Sequence, residues 1–188
     1  AQTTTSGTNR YVFYVSKLRT EVHNLHVDGG GNNFSDDTRQ RTYMYSYGIA
    51  GSSDGYYNAY NCICQMLGYG FYRMGTTNCI AISCVYGYYQ GYKHVHSFSM
   101  GAYAGFYLGD YVVDCLAIGN YIAGFWNCDH VCNGFAIGGG YGIRGSNSGD
   151  VVHDTDLLGT AFGFYGQTQG SAGVELSGVL WVKQTPET

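Results

Sequence analysis

Histidines and cysteines at two places in the sequence have the residue types that bind metal ions. Residues 128–132 read Cys-Asp-His-Val-Cys, and His94 and His96 alternate along a predicted strand, which places them on one face. Structural zinc sites use paired Cys-x₂₋₄-Cys units that are separated in the sequence, and no second unit accompanies residues 128–132. We therefore predict no metal site and treat both histidines as ordinary surface or interface residues.

A glycine-rich stretch at residues 135–152 contains the pattern of a dinucleotide site. Residues 140–145 fit G-x-G-x-x-G, which holds a pyrophosphate only where the glycines open a helix. Residues 146–149 are Ser-Asn-Ser-Gly, a poor helix start, and a short strand is predicted after them. We therefore predict no cofactor, and assign the glycines to a structural turn that needs positive φ or close backbone packing. The turn residues are Gly139, Gly140, Gly142 and Gly149.

Nucleophilic catalysis requires a reactive side chain beside a base and an orienting third group. His153 and Asp154 are adjacent in the sequence, as are Asp129 and His130, but adjacent residues of a strand point to opposite faces. Neither pair forms a dyad, and no local signature marks a nucleophile. The sequence therefore predicts no catalytic residues and favours a protein that is not an enzyme.

The seven cysteines indicate disulfides in an oxidising compartment. On one predicted strand Cys62 and Cys64 point the same way with Cα atoms roughly 6.5 to 7 Å apart, too far to pair with each other. Each is expected to bond to Cys79 or Cys84 across neighbouring strands. The last two cysteines could pair within a loop, or one of them with Cys115, and an odd number leaves at least one thiol free or bonded between chains. The candidates are Cys62, Cys64, Cys79, Cys84, Cys115, Cys128 and Cys132.

Two features of the first forty residues suggest a secreted protein. Residues 1–9 are small and polar and lack a starting methionine, as in a chain from which a signal peptide has been removed. Asn33 begins an Asn-Phe-Ser sequon in a predicted loop, which would be an exposed glycosylation site in a eukaryotic secreted protein. We expect an extracellular location, with Asn33 as the glycosylation candidate.

Composition predicts one all-β domain. The 188 residues suffice for a single core, with polar tails at 1–9 and 184–188. Only 12% are charged, whereas 30 are glycine and 20 are tyrosine, which favours strands separated by glycine turns. A net charge of −4 without a basic run argues against nucleic-acid binding. No apolar stretch reaches the roughly 18 residues of a membrane span.

Alternation and turn residues locate the strands. Tyr43, Tyr45 and Tyr47 fall on one face of a strand because side chains alternate with period two. Glycines about every ten residues are typical of a barrel or sandwich. The predicted strands span residues 10–18, 41–48, 56–67, 79–89, 93–100, 102–108, 111–118, 121–126, 157–165 and 174–183.

Three segments resemble allene oxide cyclases and dirigent proteins. Residues 136–151, with paired glycines between two apolar pairs, resemble a late strand–turn–strand of that superfamily. Residues 11–15 resemble its first strand, and residues 54–62 its turn into the third. The resemblance implies an antiparallel eight-stranded, calycin-like β-barrel. Its cavity would be lined by Tyr14, Ser16, Tyr43 and Tyr45.

The resemblance does not extend to the residues that act in the family. Where the cyclases have an inward glutamate and asparagine, this chain has Tyr14 and Ser16, and where dirigent proteins have an aspartate it has Lys17. Both activities are therefore disfavoured unless Glu21 or Asp110 has taken the role.

The sequence thus predicts a secreted structural subunit that assembles with copies of itself. Tyrosine gives a large, rigid contact and keeps a hydroxyl for hydrogen bonding, so a chain rich in tyrosine and poor in charge suits a homo-oligomer or polymer, such as a filament. Two alternatives remain: a dirigent-like or cyclase-like barrel that binds a small hydrophobic ligand, and a carbohydrate-binding module that binds a glycan.

Overall fold

The chain winds into a parallel β-solenoid, one face of which stacks eight strands. The computed structural model describes residues 10–17, 19–29, 46–53, 56–145, 151–160, 162–165, 175–177 and 180–183. Every strand pairing within them is parallel, so each turn lies directly above the previous one. The chain is all-β, but the predicted antiparallel eight-stranded barrel is wrong.

Three strand faces surround the interior. The first contains β1 (Arg10–Val15), β4 (Ser46–Gly51), β7 (Tyr69–Tyr72), β10 (Tyr86–Tyr89), β13 (Ala104–Tyr107) and β20 (Phe162–Tyr165). The second contains β2 (Glu21–His23), β5 (Asn58–Tyr60), β8 (Gly75–Thr77), β11 (Lys93–Val95), β14 (Tyr111–Val113), β16 (His130–Cys132), β18 (Val151–His153) and β21 (Glu175–Ser177). The third contains β3 (His26–Asp28), β6 (Ile63–Gln65), β9 (Ile80–Ile82), β12 (Phe98–Met100), β19 (Asp156–Thr160) and β22 (Leu180–Lys183). Two longer strands, β15 (Leu116–Trp126) and β17 (Phe135–Arg144), begin on the third face and end on the first.

Single residues with positive φ turn the chain at the corners between faces. The corner from second to third face uses Asn or Asp in six of seven described turns, because their short polar side chains tolerate the left-handed conformation. These residues are Asn24, Asn61, Asn78, His96, Asp114, Asn133 and Asp154. The corner from first to second face uses Arg73, Gln90, Leu108 and Asn127, and the corner from third to first uses Met66, Ser83, Gly101, Gly119 and Gly138. A one-residue corner produces a sharp change of strand direction without a loop.

Aromatic rings fill the interior beneath the first face. Phe71 stacks on Tyr88 with ring centroids 5.0 Å apart, Tyr88 on Phe106 at 4.4 Å, and Phe106 on Phe125 at 5.4 Å. All four are fully buried, and each such burial contributes about 1.5–3 kcal/mol. The column repeats because the parallel register places the same strand position above itself in every turn.

Small residues line the interior of the third face, where the third face and the first face approach each other closely. This column consists of Cys64, Ala81, Ser99, Ala117 and Ala136, all buried. Glycines of the first face pack against it: a Cβ on Gly105 would lie 2.6 Å from the carbonyl oxygen of Gly124 and 3.3 Å from the Ala117 Cβ. Glycine is therefore required there by space, and the interior has an aromatic side and a narrow side.

The predicted disulfides are wrong, since all seven cysteines are free thiols. Parallel stacking places Cys62 and Cys79 in one inward corner column, together with Ser97 and Cys115. Their thiols donate to nearby backbone carbonyls, for example Cys62 Sγ to Tyr60 O at 3.2 Å and Cys115 Sγ to Val113 O at 3.2 Å. The same position after the corner is occupied by Leu25 in the first described turn and by these small residues in the following ones. The cysteines of this column therefore serve packing, and the disulfide argument for an extracellular location falls.

Candidate functional site

Nine apolar side chains point outward from consecutive turns of the third face. They are partly exposed and form what we call the apolar face: Ile63, Ile80, Ile82, Phe98, Met100, Leu116, Ile118, Phe135 and Ile137. Met100 keeps 39% of its surface in contact with solvent. The strands are three residues long on this face, so each turn contributes two outward positions and one inward position.

Polar residues occur at both ends of the apolar face. At one end Gln65 donates a hydrogen bond to Asp28 across 2.8 Å, and His26 is exposed beside it. At the other end Asp156 pairs with Phe135 in the strand register, whereas the outward Leu158 pairs with Ile137 and continues the apolar column. Between these ends, no outward position of the described turns carries a charge. A contiguous apolar surface of this kind marks an interaction site, because ordinary solvated sheets alternate with polar residues.

Tyrosines dominate the outer surface of the first face. We call this the tyrosine face: Tyr11, Tyr47, Tyr69, Tyr72, Tyr86, Tyr89, Tyr103, Tyr107 and Trp126. Tyr47 stacks on Tyr11 and on Tyr69 with centroids 4.7 Å apart in both pairs, and Tyr69 stacks on Tyr86 at 5.3 Å. The Arg144 guanidinium closes one end, 4.3 Å from the Trp126 ring centroid. The flat faces of these stacked rings are therefore covered by neighbouring rings of the same chain.

Burial keeps several of these tyrosine hydroxyls protonated. Loss of solvent and, to a smaller extent, the neighbouring tyrosines together raise the pKa of Tyr47 and Tyr86 to about 12. The same two causes raise the pKa of Tyr69 well above its ordinary value. The hydroxyls of Tyr47, Tyr69 and Tyr86 are thus neutral at physiological pH.

A groove follows the corner between the first and second faces. It has a volume of about 670 Å³ and is lined by residues of several successive turns. We call it the corner groove: Ser52, Ser53, Tyr56, Arg73, Gln90, Tyr92, Leu108, Asp110, Asn127 and Asp129. Four of these, Arg73, Gln90, Leu108 and Asn127, are the left-handed corner residues themselves. The groove is therefore a direct product of the repeated corner.

Polar contacts organise the corner groove. Arg73 Nε donates to Gln90 Oε1 at 3.0 Å, and Tyr56 meets Tyr92 edge to face with centroids 5.0 Å apart. Burial raises the pKa of the Asp110 carboxyl, and Asp129 on the next turn raises it further. The groove thus combines two close carboxylates with aromatic rings and amide groups.

A buried polar cluster lies inside the second face. Thr76 Oγ1 is 2.9 Å from His94 Nδ1 and 3.1 Å from Ser97 Oγ. Burial lowers the pKa of His94 to about 3, so its ring is neutral, and its Nε2 atom has no hydrogen-bond partner among the described residues. No described part of the chain gathers three metal-ligating side chains. This cluster is a structural part of the core.

The structure separates the histidines and cysteines that the sequence grouped. The prediction that His94 and His96 share one face is wrong: His94 is buried, whereas His96 is an exposed corner residue whose Nε2 lies 3.2 Å from Asp114 Oδ2. Cys128 is buried at a corner, and Cys132 lies on the second face and is partly exposed.

The two described residues among those assigned to a barrel cavity do not line one. Tyr14 is 51% exposed on β1, and Ser16 is exposed just after it. Tyr43, Tyr45, Gly149 and the sequon residue Asn33 lie outside the described residues.

Three of the four glycines assigned to a turn, Gly139, Gly140 and Gly142, lie inside β17. Gly139 has a φ of 97°, and a Cβ on Gly140 would lie 2.8 Å from the Ile122 carbonyl oxygen. On Gly142 a Cβ would lie 2.7 Å from Leu157 Cδ2. They allow a strand to cross from the third face to the first, and they do not close a barrel.

Sequence reasoning missed the repeat that builds these surfaces. A glycine followed by an apolar residue recurs at Gly70, Gly87, Gly105, Gly124 and Gly142, at intervals of 17, 18, 19 and 18 residues. Such a period is the usual signature of a solenoid. The apolar face and the tyrosine face both follow from this period, since a residue type that recurs once per turn forms a column along the solenoid.

Comparison with protein-family models, with curated proteins and with solved structures finds no match. The described residues contain no helix long and apolar enough to cross a membrane. Function must therefore be argued from the surfaces themselves.

Proposed function

We propose that this chain is a non-catalytic structural subunit that assembles with copies of itself through the apolar face. The observation that carries the proposal is the run of nine outward apolar residues without a charge among them. Leaving such a surface in water is costly, at roughly 25 cal/mol for each Å² of apolar surface.

The geometry of the apolar face suits a second copy. Five turns contribute to it at a strand spacing of about 4.8 Å, so it is roughly 10 Å wide and 20 Å long. Two copies stacked through these nine residues alone would bury roughly 400 Å², so a stable contact has to include the rims around the face or be repeated along a polymer. Because every copy repeats its side chains at the same strand spacing, the columns of one copy can interdigitate with those of another.

Charge at the ends of the apolar face disfavours other partners. Asp28 and Asp156 lie at the ends of the face, and no basic side chain lies between them in the described turns. An anionic lipid surface would be repelled by these carboxylates. A ligand-orienting barrel is also disfavoured, because side chains fill the described interior.

The test is sedimentation of a charged variant with a matched control. Ile118→Lys places an ammonium group at the centre of the apolar face, whereas Val113→Lys places one on the second face of the same turn. We expect the native chain and Val113→Lys to associate as concentration rises, and Ile118→Lys to remain monomeric. Circular dichroism establishes that each variant is folded.

Two results would contradict the proposal. One is a native chain that stays monomeric across the whole concentration range. The other is an Ile118→Lys variant, folded, that associates as strongly as the native chain.

A further inference from the structure

The corner groove lies opposite the apolar face in cross-section, because it follows the corner between the other two faces. Self-association through the third face therefore leaves the groove open. Its volume of about 670 Å³ lies within the range of ligand-binding clefts. We propose that the corner groove binds an oligosaccharide that carries amino groups, laid along the solenoid axis.

The length of the groove indicates a linear ligand. Its lining residues begin with Ser52, continue through Arg73 and Gln90, and end with Asp129, so they come from successive turns of the solenoid. Turns rise by one strand spacing, about 4.8 Å, so the groove runs for roughly 20 Å. A chain of sugar rings fits this shape better than a single compact molecule.

The chemistry of the lining indicates a ligand rich in hydroxyl groups. Leu108 is the one aliphatic residue among the ten that line the groove. The others offer hydroxyl, amide, carboxylate and guanidinium groups, which can each exchange hydrogen bonds with a sugar. The Oδ1 atom of Asn127 is buried and has no hydrogen-bond partner among the described residues.

Charge selects amino sugars over acidic ones. Asp110 and Asp129 are neighbours on consecutive turns, because Tyr111 pairs with His130 in the strand register. The two carboxylates repel each other, and a ligand ammonium group between them would relieve that repulsion. The Arg73 side chain is already hydrogen-bonded to Gln90 and lies over the Tyr72 ring. The groove is therefore net acidic.

An exposed ring supplies a stacking surface. Tyr56 keeps 69% of its surface exposed, and its only described ring partner is Tyr92, which it meets edge to face. This distinguishes it from Tyr47 and Tyr69, whose ring faces are covered by neighbours on both sides. A sugar ring can therefore stack on Tyr56 and not on the centre of the tyrosine face.

The test is isothermal titration of the full chain with three oligosaccharides of equal length: a glucosamine oligomer, a glucose oligomer and a galacturonate oligomer. Mildly acidic solution keeps the amino groups protonated. We expect the glucosamine oligomer to bind most tightly and the galacturonate oligomer not to bind. Asp129→Asn should weaken glucosamine binding about tenfold, and Tyr56→Ala severalfold. Asp114→Asn removes a carboxylate outside the groove and should change nothing.

Three results would overturn the proposal: no binding of the glucosamine oligomer at millimolar concentration, equal binding by native chain and Asp129→Asn, or tighter binding of the galacturonate oligomer. A linear polyamine that binds as tightly as the glucosamine oligomer would also overturn it, since charge alone would then explain the affinity.

Discussion

The tyrosine face and the apolar face are built by the same stacked turns, yet they present different surfaces to solvent. On the tyrosine face, rings such as Tyr47 and Tyr69 stack on one another and bury their faces within the chain. On the apolar face, side chains such as Ile80 and Ile118 have no outward neighbour among the described residues to cover them. The first surface is largely covered by its own rings, whereas the second is left open, which is why we propose that it takes a partner.

The difference shows how a parallel solenoid turns a residue type that recurs once per turn into a continuous surface. In an antiparallel sheet one isoleucine contacts unlike neighbours, but here Ile63 lies beneath Ile80 and Ile80 beneath Phe98. A single apolar position per turn thus becomes a continuous column. Aromatic residues in such a column stack, whereas aliphatic residues produce a flat exposed surface.

The largest expected effect comes from comparing a buried ring beneath the tyrosine face with an outward side chain of the apolar face. Phe106→Ala removes a fully buried ring between Tyr88 and Phe125, and should lower the free energy of unfolding by about 3–5 kcal/mol. Ile118→Thr changes an outward residue and should cost less than about 1 kcal/mol in the monomer. Urea unfolding at low protein concentration measures both. Equal losses would show that Ile118 is part of the core.

A smaller effect is expected at alkaline pH. The folded chain holds the phenolic protons of Tyr47 and Tyr86 more tightly, with a pKa of about 12 against about 10 in the unfolded chain. The contribution of these two protonated side chains to the stability of the fold is complete below pH 10 and is lost as pH rises through about 12. Burial also raises the pKa of Cys84 and Cys115 to about 12, so these thiols add to the same loss.

Urea unfolding between pH 9 and pH 12 measures this loss. Replacing Tyr47, Tyr69 and Tyr86 together by phenylalanine should flatten the dependence of unfolding free energy on pH. A triple variant with the same slope as the native chain would show that the thiols alone are responsible.

How far the sequence predicts this fold is seen at residues 56–67. Alternation there correctly predicts extended backbone, and Cys62 and Cys64 are both buried. The predicted single strand is nevertheless two strands, β5 and β6, because Asn61 turns the chain with a φ of 52°. Alternation fails across each corner, because Leu67, predicted on the face opposite Cys62 and Cys64, is buried as they are. It does not report strand direction either, so parallel and antiparallel pairing give the same pattern.

The functional surfaces were less predictable for the same reason. The outward position of Ile80 could be inferred from alternation, but its alignment with Ile63 and Phe98 depends on the length of each turn. The corner groove depends on Arg73 and Leu108 adopting positive φ, which is uncommon for such residues and has no sequence signature. The 17- to 19-residue glycine period was the signal that could have revealed the register.

The most direct test of the central claim is photo-crosslinking within the native assembly. A photoreactive benzoylphenylalanine at Ile80 lies on the apolar face, and the same residue at Val95 lies on the second face as the matched control. We expect the Ile80 label to join two copies, with crosslinked peptides from the strands of the apolar face: β6, β9, β12 and the first residues of β15 and β17. Intermolecular crosslinks from Val95 but none from Ile80 would contradict it.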